Sequence, residues 1–209
     1  MTALSISPQL RPYVRQLWHA DSGAGASSRE HVLPTGQMHF VFRLSGPPLR
    51  TYADAADQAG TVYDGPVVGG PRAGFYVKQT GAPVTSIGVQ LLPGAAQALF
   101  GVSAGELAGA HTSLADLWGA QGWEALERIA EAGTPAQQLR MLDLVLCARL
   151  RGLHGLHPQV AQALGAFRQG LRIDTLVRDS QYSHRGFIAV FRQATGSVSY
   201  THLTLPTKA

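Results

Sequence analysis

The sequence predicts an α+β chain, with a β-rich N-terminal domain over residues 1–153 that helices close and a small all-α subdomain over residues 157–196. Three observations carry that prediction. Residues 1–90 consist of short alternating or apolar runs between Gly/Pro clusters, an Ala/Leu-rich pattern takes over after Pro93, and three short amphipathic patterns follow Gly152–Leu156.

Taken in order, Arg11–His19 (RPYVRQLWH), Gln37–Leu44 (QMHFVFRL) and Thr85–Leu92 (TSIGVQLL) are the clear strands, rich in aromatic and β-branched residues. Pro66–Gly69 and Phe75–Gln79 are weaker strand candidates, and Arg50–Gly60 reads as a polar loop. Pro93 and Gly94 end the last strand, and from there the pattern predicts helices only. Trp123–Ala132 is amphipathic. Thr134–Leu153 is longer: Thr134 stands at the N-cap, Pro135 at the first helical position and Gln137 where a capping box needs it. Its Leu139, Leu142, Leu146 and Leu150 recur at helical spacing. The two glycines in Gly152–Leu156 make that segment the expected hinge, and no repeat of solenoid period is present.

Beyond the hinge, His157 and Pro158 open a helix with Val160, Ala161, Leu164 and Phe167 on one side, and Gly170 stops it. A second helix is expected over Ile173–Asp179, with Ile173, Leu176 and Val177 inward. Ser180-Gln181-Tyr182 then makes a tight turn, Ser183 caps a third helix, and Phe187, Val190, Phe191 and Ala194 form its apolar face. Short helices joined by a tight turn are the layout of a helix-turn-helix, whose last helix lies in the DNA major groove. Removing the core positions leaves Arg185, Ile188, Ala189 and Arg192 on the outer face, with Ser183 and His184 at the helix start. Arg185 is placed to read guanine, Arg192 to hold phosphate, and Ile188 and Ala189 offer apolar contact. These six residues are the expected DNA-binding set.

Charge follows the same division. Residues 1–139 carry 8 Lys+Arg against 10 Asp+Glu, whereas residues 140–197 carry 8 Arg against 3 Asp, so the net charge of +4 belongs to the C-terminal third. Basic character concentrated on a small helical module points to a polyanion partner. Cys147 is alone in the sequence, which excludes disulfides within the chain and makes it a buried small apolar residue. No run reaches the roughly 18 to 20 apolar residues of a membrane span, and no signal peptide is legible, so the expected address is the cytoplasm with no membrane partner.

The segment Ile173–Gly196 resembles the first of the two helix-turn-helices of AraC/XylS-type transcriptional regulators, through Ser183, Arg185, Phe187, Phe191, Arg192 and Gly196. Ala189 stands where that pattern has a second arginine, and Ile188 where it has a polar residue. The N-terminal region is similar to the sensor region of one bacterial branch of that family, through Val32-Leu33-Pro34, Pro93-Gly94-Ala95-Ala96, Glu106-Leu107 and Leu114-Ala115-Asp116-Leu117-Trp118-Gly119. The resemblance covers about residues 10–196. It implies a bacterial transcription factor that binds double-stranded promoter DNA, senses an unidentified small-molecule effector or forms a homodimer through its β-rich domain, needs no cofactor and is not an enzyme. It also implies a second helix-turn-helix after Gly196. The chain instead continues as SVSYTHLTLPTKA, whose codons can be written as a sequencing-adapter sequence read in frame, so residues 197–209 are expected to be a non-native tail on a truncated regulator.

The alternative is a stand-alone β-rich small-molecule-binding or metal-dependent enzymatic domain. Glu30, His31 and His39 suggest a histidine-lined metal barrel, but the H-x-H pair and downstream glutamate are missing, and no metal or catalytic residue is assigned. His154 and His157 read as solvated or capping residues, and Trp118 and Trp123 as packing residues. No nucleophile elbow is present, and Pro71 removes a donor that a phosphate loop at Gly69-Gly70 would need.

Overall fold

The computed structural model describes residues 6–150, 158–168 and 183–196. Among the described residues nine strands form two antiparallel sheets, and six helices follow or interrupt them, so the predicted α+β class holds. The strands are β1 (Val14–Ser22), β2 (Ser28–Val32), β3 (His39–Arg43), β4 (Leu49–Tyr52), β5 (Thr61–Tyr63), β6 (Val67–Gly69), β7 (Tyr76–Thr80), β8 (Val84–Leu91) and β9 (His111–Ser113). The larger sheet runs β1-β8-β3-β6-β9 and the smaller β2-β7-β4-β5.

Strand alternation gives the larger sheet two unlike faces. Leu17, Val89, Phe40 and Val68 lie in one cross-strand row, and with Phe42 and Ile87 they are buried against the helices. The helices supplying the other half of this core are α1 (Ala95–Phe100), α2 (Leu114–Trp118), α3 (Gln121–Glu131) and α4 (Pro135–Arg149). The Trp118 ring meets Phe40 edge-on at 5.4 Å, and its Nε1–H donates to the Leu99 carbonyl at 3.0 Å, so the buried indole keeps a partner. The opposite face of the larger sheet looks toward the smaller sheet across a cavity.

Helix α4 has the predicted capping box. Gln137 N–H donates to Thr134 Oγ1, and the Gln137 side-chain oxygen accepts from Thr134 N–H. Its Leu139, Leu142 and Leu146 are fully buried and Leu150 is half-buried. Buried Asp143 on the same helix accepts from both the backbone N–H and the hydroxyl of Ser7, which ties down the short 3-10 turn Pro8–Leu10. Cys147 is half-buried at the edge of this core rather than enclosed by it.

Several expectations need correction. The chain after Pro93 is not all helix: β9 returns to pair with β6, Val67 opposite Ser113 and Gly69 opposite His111. The polar segment 50–60 contains most of β4, and only residues 53–60 form the loop, folded around Asp57, which accepts from the amides of Ala53, Ala59 and Gly60. β2, β5 and β9 are short or mostly polar, which hid them. α4 ends at Arg149 rather than Leu153. Trp123 is 42% exposed, with its ring edge beside Gly65.

The last two helices, α5 (Pro158–Arg168) and α6 (His184–Thr195), share a second small core. Val160 and Ala163 of α5 meet Phe187 and Phe191 of α6, with Leu164, Val190 and Ala194 half-buried around them. Ala161, expected inward, is exposed, and Ala163 takes its place. The expected hinge Gly152–Leu156, the expected helix Ile173–Asp179, the turn at 180–182 and the tail 197–209 lie outside the described residues.

Candidate functional site

Two places in the molecule combine exposed or unpartnered polar groups with a definite geometry. The first is α6. Ser183 is its N-cap: the hydroxyl accepts from the Gly186 amide at 3.1 Å, satisfying one of the amides that every helix start leaves open. Phe187 and Phe191 point into the small core, their rings stacked at 6.1 Å. Arg185, Ala189 and Arg192 are exposed, and Ile188 is half-buried beside them. The sequence-predicted residues Ser183, Arg185, Ile188, Ala189 and Arg192 are thus brought onto the outer side of one helix. His184 is its first residue.

The C-terminal end of α6 is docked on the β-rich region. The Ala104 amide donates to the Gln193 carbonyl at 2.9 Å and the Gly94 amide to the Ala194 carbonyl at 3.2 Å. Gly196 closes the helix in the left-handed region, φ +71°, with Pro71 and Ala104 so near that a Cβ there would stand 2.1 Å from Pro71 Cγ. Pro93-Gly94 and Ser103–Gly105, on either side of α1, therefore hold the helix by its last carbonyls.

The second place is the cavity between the sheets, with a volume of about 730 Å³. The cross-strand row Gln90–His39–Gly69–His111 brings His39 and His111 to its wall. Because Gly69 has no side chain, the two imidazoles that flank it lie 6.3 Å apart, edge to face, and a Cβ on Gly69 would fall 2.5 Å from the His39 ring. Tyr76 of the smaller sheet meets His111 at 4.6 Å, Tyr63 lies 5.7 Å from it, and the Arg72 guanidinium sits 4.8 Å over the Tyr76 ring. Arg72 Nη2 is 2.9 Å from His111 Nδ1. Since a guanidinium can only donate, Nδ1 accepts and the proton of neutral His111 is on Nε2.

The electrostatics agree. Burial, then Arg72 and His39, push His111 down to about 3, so it is neutral at ordinary pH. Burial, reinforced by Arg72 and Lys78, also lowers His39. Burial raises Tyr76 and depresses Arg72. His111 Nε2 and Arg72 Nε are both buried with no hydrogen-bond partner among the described residues. Lys78 faces Glu30 at 4.0 Å. Among the described residues no group of three or more His, Cys, Asp or Glu is arranged to hold a metal, and His31, set against Phe75 at 4.8 Å, is not joined to His39. No sequence pattern pointed to His111, Arg72 or Tyr76, because only strand pairing across distant segments brings them to His39.

The solved structure of ToxT from Vibrio cholerae is similar over 92% of this chain and 99% of its own, at 8% identity and a TM-score of 0.31, a superposition too loose to give any residue a role. No curated protein sequence matches the chain. Residues 5–113 match the model described as a domain of unknown function, DUF6597. That segment contains all nine strands, α1 and the whole histidine-tyrosine-arginine cluster, and it stops before α2. Spanning just over half of the 209 residues, the match places this chain in the DUF6597 family.

Proposed function

We propose that the chain is a bacterial DNA-binding transcription factor, not an enzyme, in which the two-sheet region senses a small molecule and α6 meets promoter DNA. The observation that carries this reading is the division of α6: Phe187 and Phe191 are buried against α5 while Arg185, Ala189 and Arg192 stay exposed. A helix start with free amides and a flanking arginine is suited to phosphate, and the outer face to base edges. The AraC-like residues Ser183, Arg185, Phe191, Arg192 and Gly196 fall at the cap, the outer face, the core and the C-cap that such a helix requires.

The mechanism we infer is a shift between populations. A ligand that favours one arrangement of the region touching the α6 carbonyls favours the corresponding placement of α6. Among the described residues no helix is long and apolar enough to cross a membrane, which agrees with a role on DNA.

The test is affinity for duplex DNA as a function of salt, using the full chain. Affinity should fall steeply as salt rises, and Arg185→Ala and Arg192→Ala should each weaken binding and reduce the salt slope by about one. Unchanged affinity in the double variant would remove the DNA reading. A chain without any DNA affinity would leave the two sheets as a stand-alone binding domain.

A further inference from the structure

We propose that the inter-sheet cavity binds an uncharged phenol, its ring over the row Trp18, Val41 and Val67 and its hydroxyl donating a hydrogen bond to His39. The proposal rests on reading the two-sheet region as a sensor, and it names the chemical class sensed.

Strand register builds the floor of the cavity. Trp18, Gly88, Val41 and Val67 form one cross-strand row of the larger sheet, and the row two residues along holds His39, Gly69 and His111. Each row sets a glycine beside a ring. A Cβ on Gly88 would fall 2.3 Å from Trp18 Cζ2, and one on Gly69 would fall 2.5 Å from His39 Nε2. The indole and the imidazole therefore lie along the sheet rather than standing out from it. Trp18, Val41, Val67 and His39 all line the cavity, Tyr76 lines it from the smaller sheet, and the volume of about 730 Å³ falls within the range of small-molecule sites. A planar apolar ring suits such a floor.

The polar groups that meet this space are neutral. His39 and the Tyr76 hydroxyl make no hydrogen bond among the described residues, and, unlike His111 Nε2 and Arg72 Nε, their polar atoms keep accessible surface. A neutral imidazole has one acceptor nitrogen, which a phenolic hydroxyl can meet. Burial, then Arg72 and Lys78, favour that form of His39, and the same two cations disfavour an ammonium ligand beside it. The four charged side chains of the wall already have partners: Lys78 faces Glu30 at 4.0 Å, and Arg43 and Arg50 donate to the carbonyls of Pro47 and Ala59. His39 and Arg43 stand at opposite ends of β3, about 13 Å apart along the strand, so a single ring anchored at His39 covers Val41 without reaching Arg43. A carboxylate at His39 would lose its hydration without a counter-ion, a cost that a phenol avoids.

The probes are 4-ethylphenol, 4-ethylanisole, whose methylated oxygen cannot donate, and 4-ethylbenzoate as the charged counterpart. Each is titrated into the full chain, with affinity read from the His39 Cε1–H resonance and from calorimetry. The phenol should bind saturably, about tenfold or more tighter than either of the others. His39→Phe keeps a ring over Gly69 but removes the acceptor, and should bind phenol and anisole equally. Val41→Trp fills the floor and should abolish phenol binding. Should both variants fail to fold, the three probes on the unaltered chain still decide. Equal affinity for phenol and anisole, tighter binding of the benzoate, no saturation by the phenol at millimolar concentration, or an undiminished preference for phenol in a folded His39→Phe variant would overturn the proposal. Arg185→Ala should leave phenol binding unchanged even where it weakens DNA binding, so loss of the DNA reading and loss of the phenol site are read separately.

Discussion

The amide of Ala104 donates to the carbonyl of Gln193 at 2.9 Å, joining the loop after α1 to the last turn of α6. Helix ends leave several carbonyls without intrahelical partners, and here two of them are satisfied by amides of the two-sheet region.

Gly196→Ala tests this junction. The new Cβ would meet Pro71 Cγ at 2.1 Å and the Ala104 carbonyl at 2.6 Å, at a backbone angle that L-residues rarely adopt. The expected cost is about 1–3 kcal/mol in unfolding free energy. Hydrogen exchange should quicken at the Ala104 and Gly94 amides, and unchanged protection there would show that Gly196 does not govern the contact.

Acid should destabilise the cluster at the end of the cavity. His111 titrates near 3 in the folded chain against an ordinary 6.5, so between those values the unfolded chain holds the additional proton. Stability is therefore complete above about pH 6.5 and falls toward pH 3 by up to about 1.4 kcal/mol per pH unit. His39, also lowered, adds a loss of the same sign. The groups facing His111 are Arg72, His39, Tyr63 and Tyr76. Urea denaturation from about pH 7 to about pH 4 should show the slope, and His111→Gln should flatten it.

Asp143→Ala should free the N-terminal turn. The buried carboxylate accepts from the Ser7 backbone and hydroxyl, and its removal leaves that backbone amide unpaired, at a cost of about 1–3 kcal/mol. Ser7→Ala keeps the backbone bond and should cost less in chemical denaturation.

Gly69→Val should disturb the cavity without touching a charged group. Even the Cβ falls 2.5 Å from the His39 ring, so the ring must turn. The His39 Cε1–H resonance should shift and the melting temperature should drop. An unmoved resonance would show that the ring has room the register does not suggest.

The helices were largely legible because their signals are local. Thr134, Pro135 and Gln137 specify one helix start within four residues, and Ser183 with Phe187 and Phe191 specifies another. The three clear strands, β1, β3 and β8, were legible for the same reason. What escaped were elements defined by their partners: β9 is three half-buried residues that mean little until paired with Val67–Gly69, and β2 is largely polar because Glu30 faces the cavity and Arg29 lies over Tyr52. The outer face of α6 was read from helical spacing alone. The cavity cluster was not, since His39, Arg72, Tyr76 and His111 are scattered over more than seventy residues and no periodicity links them.

The run Gly69-Gly70-Pro71-Arg72, dismissed as a phosphate loop, has a mechanical consequence. Gly69 lies under the His39 ring, a Cβ on Gly70 would strike the Leu107 carbonyl at 1.7 Å, Pro71 abuts Gly196, and Arg72 reaches His111. Three of these contacts are made by backbone or by a closed ring, neither of which can swing aside as a long side chain does. Up to Arg72 the run has no rotamer slack. Gly69, Gly70 and Pro71 thus fix the spacing between the His39 ring, the Leu107 carbonyl and the end of α6 as a rigid spacer does.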